Sequence, residues 1–183
     1  MPKLLSIQVG SPQTVSYKGR QVLTSIFKAP IAGPVRVNKL SIEGDTQSDL
    51  TVHGGVDKAV YAYSADAYSF WNKRYAKEHA WGALGENLTF DTLDEGAIGI
   101  GDVYDLGESR LQVTQPRLPC FKLGIRFNDP LAVKAFNEFK RSGVYFKVIK
   151  EGEIAIGQSL QLIKRADDFM SIAESFRMAM GQG

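Results

Sequence analysis

The stretch RLQVTQPRLPC, residues Arg110 to Cys120, joins a strand-like pattern to the single cysteine of the chain. Apolar and polar residues alternate from Arg110 to Gln115, as they do in a strand that buries one face. Pro116 and Pro119 then fix the backbone and remove two hydrogen-bond donors, so a regular strand cannot continue to Cys120. The stretch predicts a half-buried antiparallel strand that leads into a stiff loop carrying the cysteine.

Short strand-like segments dominate the rest of the chain, and most of them end at Gly, Pro, Asp or Ser, which are typical turn residues. Partial alternation in segments such as QVLTSIF is typical of antiparallel strands that close a sheet or a barrel. The pattern predicts a mainly β fold with a few inserted helices. The predicted strands are Leu4 to Val9, Gln21 to Phe27, Val35 to Ile42, Asp102 to Leu106, Leu111 to Thr114, Val144 to Ile149 and Leu160 to Ile163.

Two internal segments have helical spacing. The first is SADAYSFWNKRYAK, Ser64 to Lys77. Its aromatic residues Tyr68, Trp71 and Tyr75 recur at helical intervals, and we interpret them as core packing rather than as a stacking platform. The second runs from Asp129 to Arg141, where the aspartate can cap the helix N-terminus.

The domain organisation follows from a change in composition after Arg165. Residues 1–165 are predicted to form one main domain, because the chain has only 183 residues. Residues 166–183 are predicted to be a short helical appendage, in which Phe169, Ile172 and Phe176 line one side of a helix. This segment is too short to form a domain of its own.

Two distant stretches resemble each other. EGAIGIGDVYDL, Glu95 to Leu106, and EGEIAIGQSLQL, Glu151 to Leu162, share the glutamate, two glycines, two isoleucines and the final leucine. A glycine at a bend relieves backbone crowding where a strand changes direction. The two stretches are therefore either equivalent corners of one barrel or a chance similarity between turn-rich segments.

Composition excludes several classes of protein. A formal net charge of +2 is too small for a typical nucleic-acid-binding domain, so we expect no nucleic-acid partner. We expect no membrane partner and a cytoplasmic protein, because no apolar run approaches membrane-spanning length and no signal peptide is visible. A single cysteine excludes an internal disulfide and a multi-cysteine zinc site. The sequence specifies no oligomeric state.

Cys120 has two interpretations. Buried, inert cysteines are common, so the thiol could simply fill the core. Against this, Arg117 and Lys122 flank it, and neighbouring cations lower the pKa of a cysteine thiol and favour the reactive thiolate. A stiff loop with flanking cations suits a nucleophile or a ligand for a soft metal.

The stretch TVHGGVDKAVYAYS, Thr51 to Ser64, is a candidate anion site. The amides of Gly54 and Gly55 can form a nest for an anion, and His53 and Lys58 add donors suited to phosphate. The alternative is an ordinary Gly-Gly turn. The stretch is not a P-loop, because the Gly-Lys-Ser/Thr ending is absent.

The stretch GALGENLTF, Gly82 to Phe90, contains the polar pair Glu86 and Asn87 before an apolar run. Asparagine at this position is typical of a turn that precedes a strand. The functional alternative is that Asn87 binds a heterocycle while Glu86 orients its neighbours.

Taken in order, four stretches resemble a MOSC domain, the molybdenum cofactor sulfurase C-terminal module, and in particular its stand-alone bacterial YiiM-type members. The likeness extends over about Met1 to Lys164. YiiM-type proteins usually continue into a small helical domain, of which Ala166 to Gly183 would supply about one helix. The stretches are VHGGVDKAVYAYS, LGENLTF, IGIGDVYDLG and LQVTQPRLPC.

The resemblance implies a MOSC-type β-barrel and a molybdopterin-type molybdenum cofactor, with Cys120 as the protein ligand to the metal. Thiolate sulfur suits a soft metal that dithiolene sulfurs already hold. Donors for the cofactor phosphate would be His53, Gly54, Gly55, Lys58 and Arg117. Glu86 and Asn87 would be candidates to bind the pterin ring.

The function expected from the resemblance is an oxidoreductase that detoxifies N-hydroxylated compounds, such as N-hydroxylated purine bases, by reducing them. No flavin, iron–sulfur or nicotinamide motif is visible in the sequence, so a separate reductase is expected to supply the electrons. Three alternatives remain open: sulfur transfer through a Cys120 persulfide, a non-catalytic cofactor carrier, and a structural barrel with a buried cysteine.

Overall fold

The computed structural model describes residues 1–47 and 54–181. Strands predominate among them, so the predicted mainly β fold with inserted helices is confirmed. The strands are β1 (Leu4–Val9), β2 (Gln13–Tyr17), β3 (Arg20–Thr24), β4 (Ala29–Pro30), β5 (Val35–Val37), β6 (Val60–Ser64), β7 (Leu88–Phe90), β8 (Val103–Leu106), β9 (Ser109–Pro116), β10 (Val144–Lys150), β11 (Gly152–Ile154) and β12 (Gln161–Lys164). The helices are α1 (Tyr68–Tyr75), α2 (Phe121–Phe127), α3 (Ala132–Phe139) and α4 (Ile172–Ala179).

Eight strands form one mixed sheet in the order β12-β8-β9-β10-β6-β7-β1-β4. Neighbouring strands in it are antiparallel, except that β6 and β7 are parallel. β9 pairs with β8 on one side and with β10 on the other, so the strand that leads to Cys120 lies inside the sheet. The other four strands form the two-stranded ribbons β11-β5 and β2-β3.

The pairing of the named strands does not close the large sheet in the part of the chain that the structure describes, so the predicted β-barrel is not confirmed. β4 and β12 are the two edges of the large sheet and do not pair with each other. Backbone hydrogen bonds join the segments beside them instead: the Leu160 amide donates to the Pro2 carbonyl at 2.8 Å, and the Gly157 amide donates to the Leu4 carbonyl at 2.8 Å. We call this junction the N-terminal clasp. The turn at Gly157, with φ of +93°, lies after β11 at the start of the clasp, and Leu160 leads directly into β12.

The core has two apolar clusters, and β6 contributes to both. Val60 and Ala62 belong to the larger cluster, whereas Tyr61 and Tyr63 belong to an aromatic cluster with α1 and α3. Successive side chains of a strand point to opposite faces, so β6 is buried on both sides. Trp71 is fully buried in the aromatic cluster and donates its indole N–H to the Tyr63 hydroxyl at 3.1 Å. The prediction that the α1 aromatic residues are core packing is confirmed for Trp71.

The two similar stretches share one turn. Gly101 has φ of +90° and Gly157 has φ of +93°, in equivalent positions of the two stretches. The strands that follow, β8 and β12, pair with each other in an antiparallel ladder. The second stretch enters its turn from β11, whereas no strand precedes the turn in the first. The similarity therefore corresponds to one shared glycine turn that leads into paired strands.

The C-terminal segment packs against both clusters. The Ser171 hydroxyl caps α4 by accepting a hydrogen bond from the Glu174 amide at 3.1 Å. Ile172 is buried in the larger cluster and Phe176 in the aromatic cluster. None of the helices in the described residues is long and apolar enough to cross a membrane.

Candidate functional site

Cys120 lies where the loop after β9 enters α2. Its backbone is extended, with φ of −123° and ψ of 175°, and the residue is half-buried. The chain cannot reach α2 as a regular strand because Pro119 precedes the cysteine. The thiol is therefore held at a fixed junction, as the sequence predicted, and it faces a cleft.

The cleft collects side chains from distant parts of the chain. Two of its lining residues, Arg117 and Cys120, were candidate site residues in the sequence. The others come from the end of β3 and the segment after it, from the segment before the undescribed residues, from the loop before β7, from β10, and from the neighbours of Cys120 in the chain. The full lining is Thr24, Ser25, Ile26, Lys28, Thr46, Gln47, Gly85, Arg117, Leu118, Cys120, Lys122 and Tyr145.

Arg117 is a buried cation in the wall of the cleft. It is 7% exposed, donates to the Leu84 carbonyl, and lies over the Tyr61 ring at 4.9 Å from the ring centre. Burial disfavours its charged form, yet the nearby groups of Tyr61, Tyr145 and Cys120 raise the pKa of Arg117 above its ordinary value. The guanidinium stays charged at all physiological pH values. Among the described residues, no carboxylate forms a salt bridge with it.

Lys28 adds a second buried cation to the cleft, which no sequence pattern predicted. Its ammonium forms a short ion pair with Asp45, and the two side chains are 9% and 1% exposed. Burial lowers the pKa of Lys28 from its ordinary value, which the Asp45 carboxylate partly opposes. Asp45 also accepts from the Gly10 amide at 2.8 Å. The pair joins two loops that are separated by seventeen residues, so no local pattern predicts it.

Glu86 is buried completely behind the cleft. Its carboxylate accepts from the Gly82 amide at 2.7 Å, the Leu84 amide at 3.1 Å and the Thr89 hydroxyl at 3.1 Å, and from the Tyr68 hydroxyl. Burial raises the pKa of Glu86, and these hydrogen bonds oppose the shift. Because the Leu84 carbonyl accepts from Arg117, the carboxylate fixes the loop that orients the arginine.

Asn87 is also buried and is bound by protein groups. Its side-chain oxygen accepts from the Tyr61 amide at 3.2 Å, and its nitrogen donates to Asp45 at 2.9 Å. The asparagine thus ties β6 to the Lys28–Asp45 pair. The structure places Glu86 and Asn87 in the layer that supports the cleft, not among its lining residues.

The Gly-Gly stretch lies beside the cleft. Gln47, which lines the cleft, accepts from the Gly55 amide at 3.0 Å and donates to the Lys58 carbonyl at 3.0 Å. Gly55 has φ of +93°, which favours glycine. Gly54, Gly55 and Lys58 are therefore held next to the lining residues. His53 lies outside the described residues.

Tyr145 is a cleft residue that the sequence analysis missed. It lies in β10, and its ring centre is 5.0 Å from that of Tyr61. Burial raises the pKa of Tyr145, and the positive charge of Arg117 partly counteracts the shift. At neutral pH the phenol is a hydrogen-bond donor. Tyr145 alternates with the more deeply buried Val144 and Phe146 along β10, and no local sequence pattern places it beside Cys120.

This arrangement suits an anionic ligand with a soft centre. Arg117 and Lys28 supply fixed positive charge, and the Cys120 thiol supplies a sulfur ligand or nucleophile. Within residues 1–47 and 54–181, no three His, Cys, Asp or Glu side chains form a cluster that could hold a metal ion. A metal at Cys120 would therefore take its other ligands from the molecule that carries it.

Known proteins are similar to this chain in sequence and in fold. The MOSC domain family matches residues 49–161. YflK of Bacillus subtilis is 40% identical over 169 residues, which span 92% of this chain and 76% of that protein. The crystal structure of YiiM from Geobacillus stearothermophilus has a TM-score of 0.81 at 36% identity, covering 98% of this chain and 84% of that one.

A fungal relative has a different size. A protein of Gibberella moniliformis named "Reductase" is 35% identical over 151 residues, which span 80% of this chain and 27% of that protein. The similar region is thus one part of a much longer chain. The family match covers more than half of the sequence. The chain belongs to the MOSC domain family.

Proposed function

We propose that the protein binds a molybdopterin-type molybdenum cofactor and reduces N-hydroxylated compounds. One observation carries the proposal: a half-buried thiol faces a cleft beside an arginine that is buried without a carboxylate partner among the described residues. Burying a charge is costly unless a counter-charge accompanies it, so this position favours a bound anion.

The donor set of the cleft fits this cofactor. Cys120 would be the protein ligand to the metal, since thiolate sulfur is a soft ligand. Arg117 would bind the phosphate, aided by the Gly54 amide and by Lys28, whose ammonium also pairs with Asp45. The Gly55 amide would have to exchange its hydrogen bond to Gln47 for one to the phosphate. When bound, the cofactor supplies two-electron redox chemistry and oxygen transfer.

The surrounding residues would position these groups rather than bind the cofactor. Glu86 fixes the loop whose Leu84 carbonyl orients Arg117. Asn87 holds Asp45, which in turn holds Lys28. His53 and Lys58 remain proposed phosphate donors. Their contribution depends on the segment that precedes Gly54.

The proposed reaction is R–NHOH + 2 e⁻ + 2 H⁺ → R–NH₂ + H₂O. The N–O bond breaks, its oxygen leaves as water, and a separate flavin or iron–sulfur reductase supplies both electrons. The Tyr145 hydroxyl, protonated at neutral pH, would donate a hydrogen bond to the departing oxygen. N-hydroxylated purine bases are the proposed substrates. The cytoplasm is the proposed location, because a reducing compartment keeps a reactive thiol from being oxidised.

The fungal relative supports a redox role. Its name is "Reductase", and the region similar to this chain makes up 27% of its length. A region similar to this chain is therefore joined to other polypeptide segments in the fungal protein. Such an arrangement is expected if electrons reach the MOSC region from a different part of the same chain.

The test is Cys120→Ser, with molybdenum and pterin content and the rate of base reduction by a chemical donor as readouts. We expect the variant to lose most bound molybdenum and at least about 100-fold in rate, since the metal would lose its thiolate. Ser16→Ala, on the exposed β2-β3 ribbon, is the control and should match the parent protein. Full metal content and full rate in Cys120→Ser would overturn the proposal.

A second candidate is sulfur transfer, which the half-buried thiol beside Arg117 also favours. A cysteine desulfurase would place one sulfur atom on Cys120 as a persulfide, which an acceptor would then receive. Mass spectrometry after desulfurase treatment separates the candidates: a persulfide without bound metal favours transfer. Tight cofactor binding without turnover under any donor would instead indicate a carrier.

A further inference from the structure

Charge is distributed unevenly along the chain. Residues 1–42 and 109–128 contain ten of the 22 lysines and arginines, but none of the 20 aspartates and glutamates. These two segments include β1 to β5, β9 and α2. Residues of both segments line the Cys120 cleft.

The β2-β3 ribbon brings part of this positive charge to the mouth of the cleft. Tyr17 of β2 stacks on Phe121, the residue after Cys120, with ring centres 6.1 Å apart. Arg20 is paired with Tyr17 in the ladder, and residues directly opposite each other share a face of the ribbon. Lys18 forms the turn between them, with φ of +50°. Both cations are exposed, and Arg20 lies across the ribbon from the tyrosine that stacks on Phe121.

Apolar side chains lie among these cations. Leu118 is 52% exposed and Phe121 is 50% exposed, on either side of Cys120. We call the surface formed by Lys18, Arg20, Leu118, Phe121 and Lys122 the mouth face. In the described part of the chain, no salt bridge neutralises its three cations. Exposed apolar residues surrounded by charge are typical of protein interaction sites.

We propose that the mouth face docks an acidic electron-donor protein, a flavin or iron–sulfur protein whose redox group is surrounded by carboxylates. The inference rests on the proposed function, because only a reductase site needs a donor at its mouth. Opposite charges speed diffusional encounter and align the partners. Leu118 and Phe121 would form the dry centre of the contact, directly above the Cys120 cleft.

The test measures binding of an acidic [2Fe–2S] ferredoxin as the probe, with basic cytochrome c as a charge control. The variant Lys18→Asp/Arg20→Glu reverses two charges, and aspartate tolerates the left-handed backbone of position 18. The matched control is Lys150→Glu/Lys164→Glu, on exposed strand residues. Lys150 is the last residue of β10 and is therefore far from the cleft. The first residue of that strand, Val144, pairs with Pro116, which precedes Arg117.

We expect the ferredoxin to bind the parent protein, and to bind less tightly as salt rises from about 0.01 M to about 0.1 M. The mouth-face variant should bind at least about tenfold more weakly at low salt, and the control variant within about twofold of the parent. Equal binding by all three proteins would overturn the proposal. Tighter binding of a single-stranded RNA oligonucleotide than of ferredoxin would also overturn it, because the face would then be a nucleic-acid site.

Reduction by a small chemical donor is measured on the same proteins. The mouth-face variant should keep the parent rate with this donor and lose at least about tenfold with reduced ferredoxin at low concentration. Absence of turnover with the chemical donor contradicts the proposed function, whereas the binding titration still decides the docking proposal. The two failures are therefore distinguishable.

Discussion

The Cys120 cleft and the corner around Glu95 are built from the same kinds of residue, but their charges are arranged differently. At the corner, the buried Glu95 carboxylate accepts from the Ser142 amide at 2.9 Å and the Gly143 amide at 3.1 Å, and pairs with Arg141 at 3.4 Å. At the cleft, the buried Glu86 carboxylate also accepts from loop amides, but the nearby Arg117 donates to a carbonyl instead.

This difference separates a structural network from a binding site. A carboxylate, its loop amides and an arginine satisfy one another at the corner, so nothing further is needed there. At the cleft the carboxylate and the arginine are both buried without pairing with each other. Unpaired buried charge is costly, which is expected where a ligand supplies the missing partner.

The largest expected effect is on stability, from Glu95→Ala. The change leaves the Ser142 and Gly143 amides buried without acceptors and removes one of the two carboxylate partners of Arg141, the other being Asp66. We expect a loss of about 3–5 kcal/mol in the free energy of unfolding, measured by urea titration. Glu138→Ala is the control, because its exposed pair with Lys134 contributes at most about 0.5 kcal/mol. A loss below about 1 kcal/mol would remove the basis for treating the corner as structural.

A crossed pair of variants tests the comparison directly. Arg117→Met removes the unpaired cation, and we expect molybdenum and pterin content to fall about 10- to 100-fold, as for loss of a charge-assisted hydrogen bond. Arg141→Met should keep the cofactor content but lower the free energy of unfolding by about 2 kcal/mol, since Glu95 stays buried without its cation. Metal analysis and urea titration of both variants give the answer. If both variants lose cofactor, or if both lose stability without losing cofactor, the distinction between a binding arginine and a structural arginine is wrong.

The smallest expected effect is a pH dependence from Glu86. Burial raises its pKa in the folded state, so folding takes up a proton at pH values between its unfolded and folded pKa. The free energy of unfolding should therefore fall as pH rises through that window, by up to about 1.4 kcal/mol per pH unit.

Glu86→Gln cannot ionise, so its unfolding free energy should fall less steeply over the same window. Below about pH 4 the wild-type carboxyl is protonated in both states, and the two slopes should converge. Urea titrations at several pH values measure this. Parallel slopes across the whole range would show that the buried carboxylate is not coupled to stability in this way.

Sequence patterns predicted several strands of the large sheet. The expected Leu4 to Val9 and Val144 to Ile149 agree closely with β1 and β10. β6 was not predicted, because it is buried on both faces and shows no alternation of apolar and polar residues. α2 was not predicted either, since the prolines before Cys120 suggested a loop. The helix expected over Asp129 to Arg141 is shorter, and begins at Ala132.

The site was predictable where its parts are close in sequence. Arg117 and Cys120 are three residues apart, and their side chains line one cleft as expected. Lys28 and Tyr145 reach it only through the pairing of distant strands and loops, which no local pattern specifies. Glu86 was identified as a polar residue in an apolar context, but sequence alone could not distinguish a ligand contact from a buried support.

The N-terminal clasp has a consequence for aggregation. Pro2 and Leu4 satisfy backbone groups of the segment that runs from Gly157 to Leu160. Removal of the first four residues would leave those groups without partners along an exposed strand border. Such borders recruit strands from other molecules. The first residues of the chain therefore protect the folded protein from edge-to-edge association with its own copies.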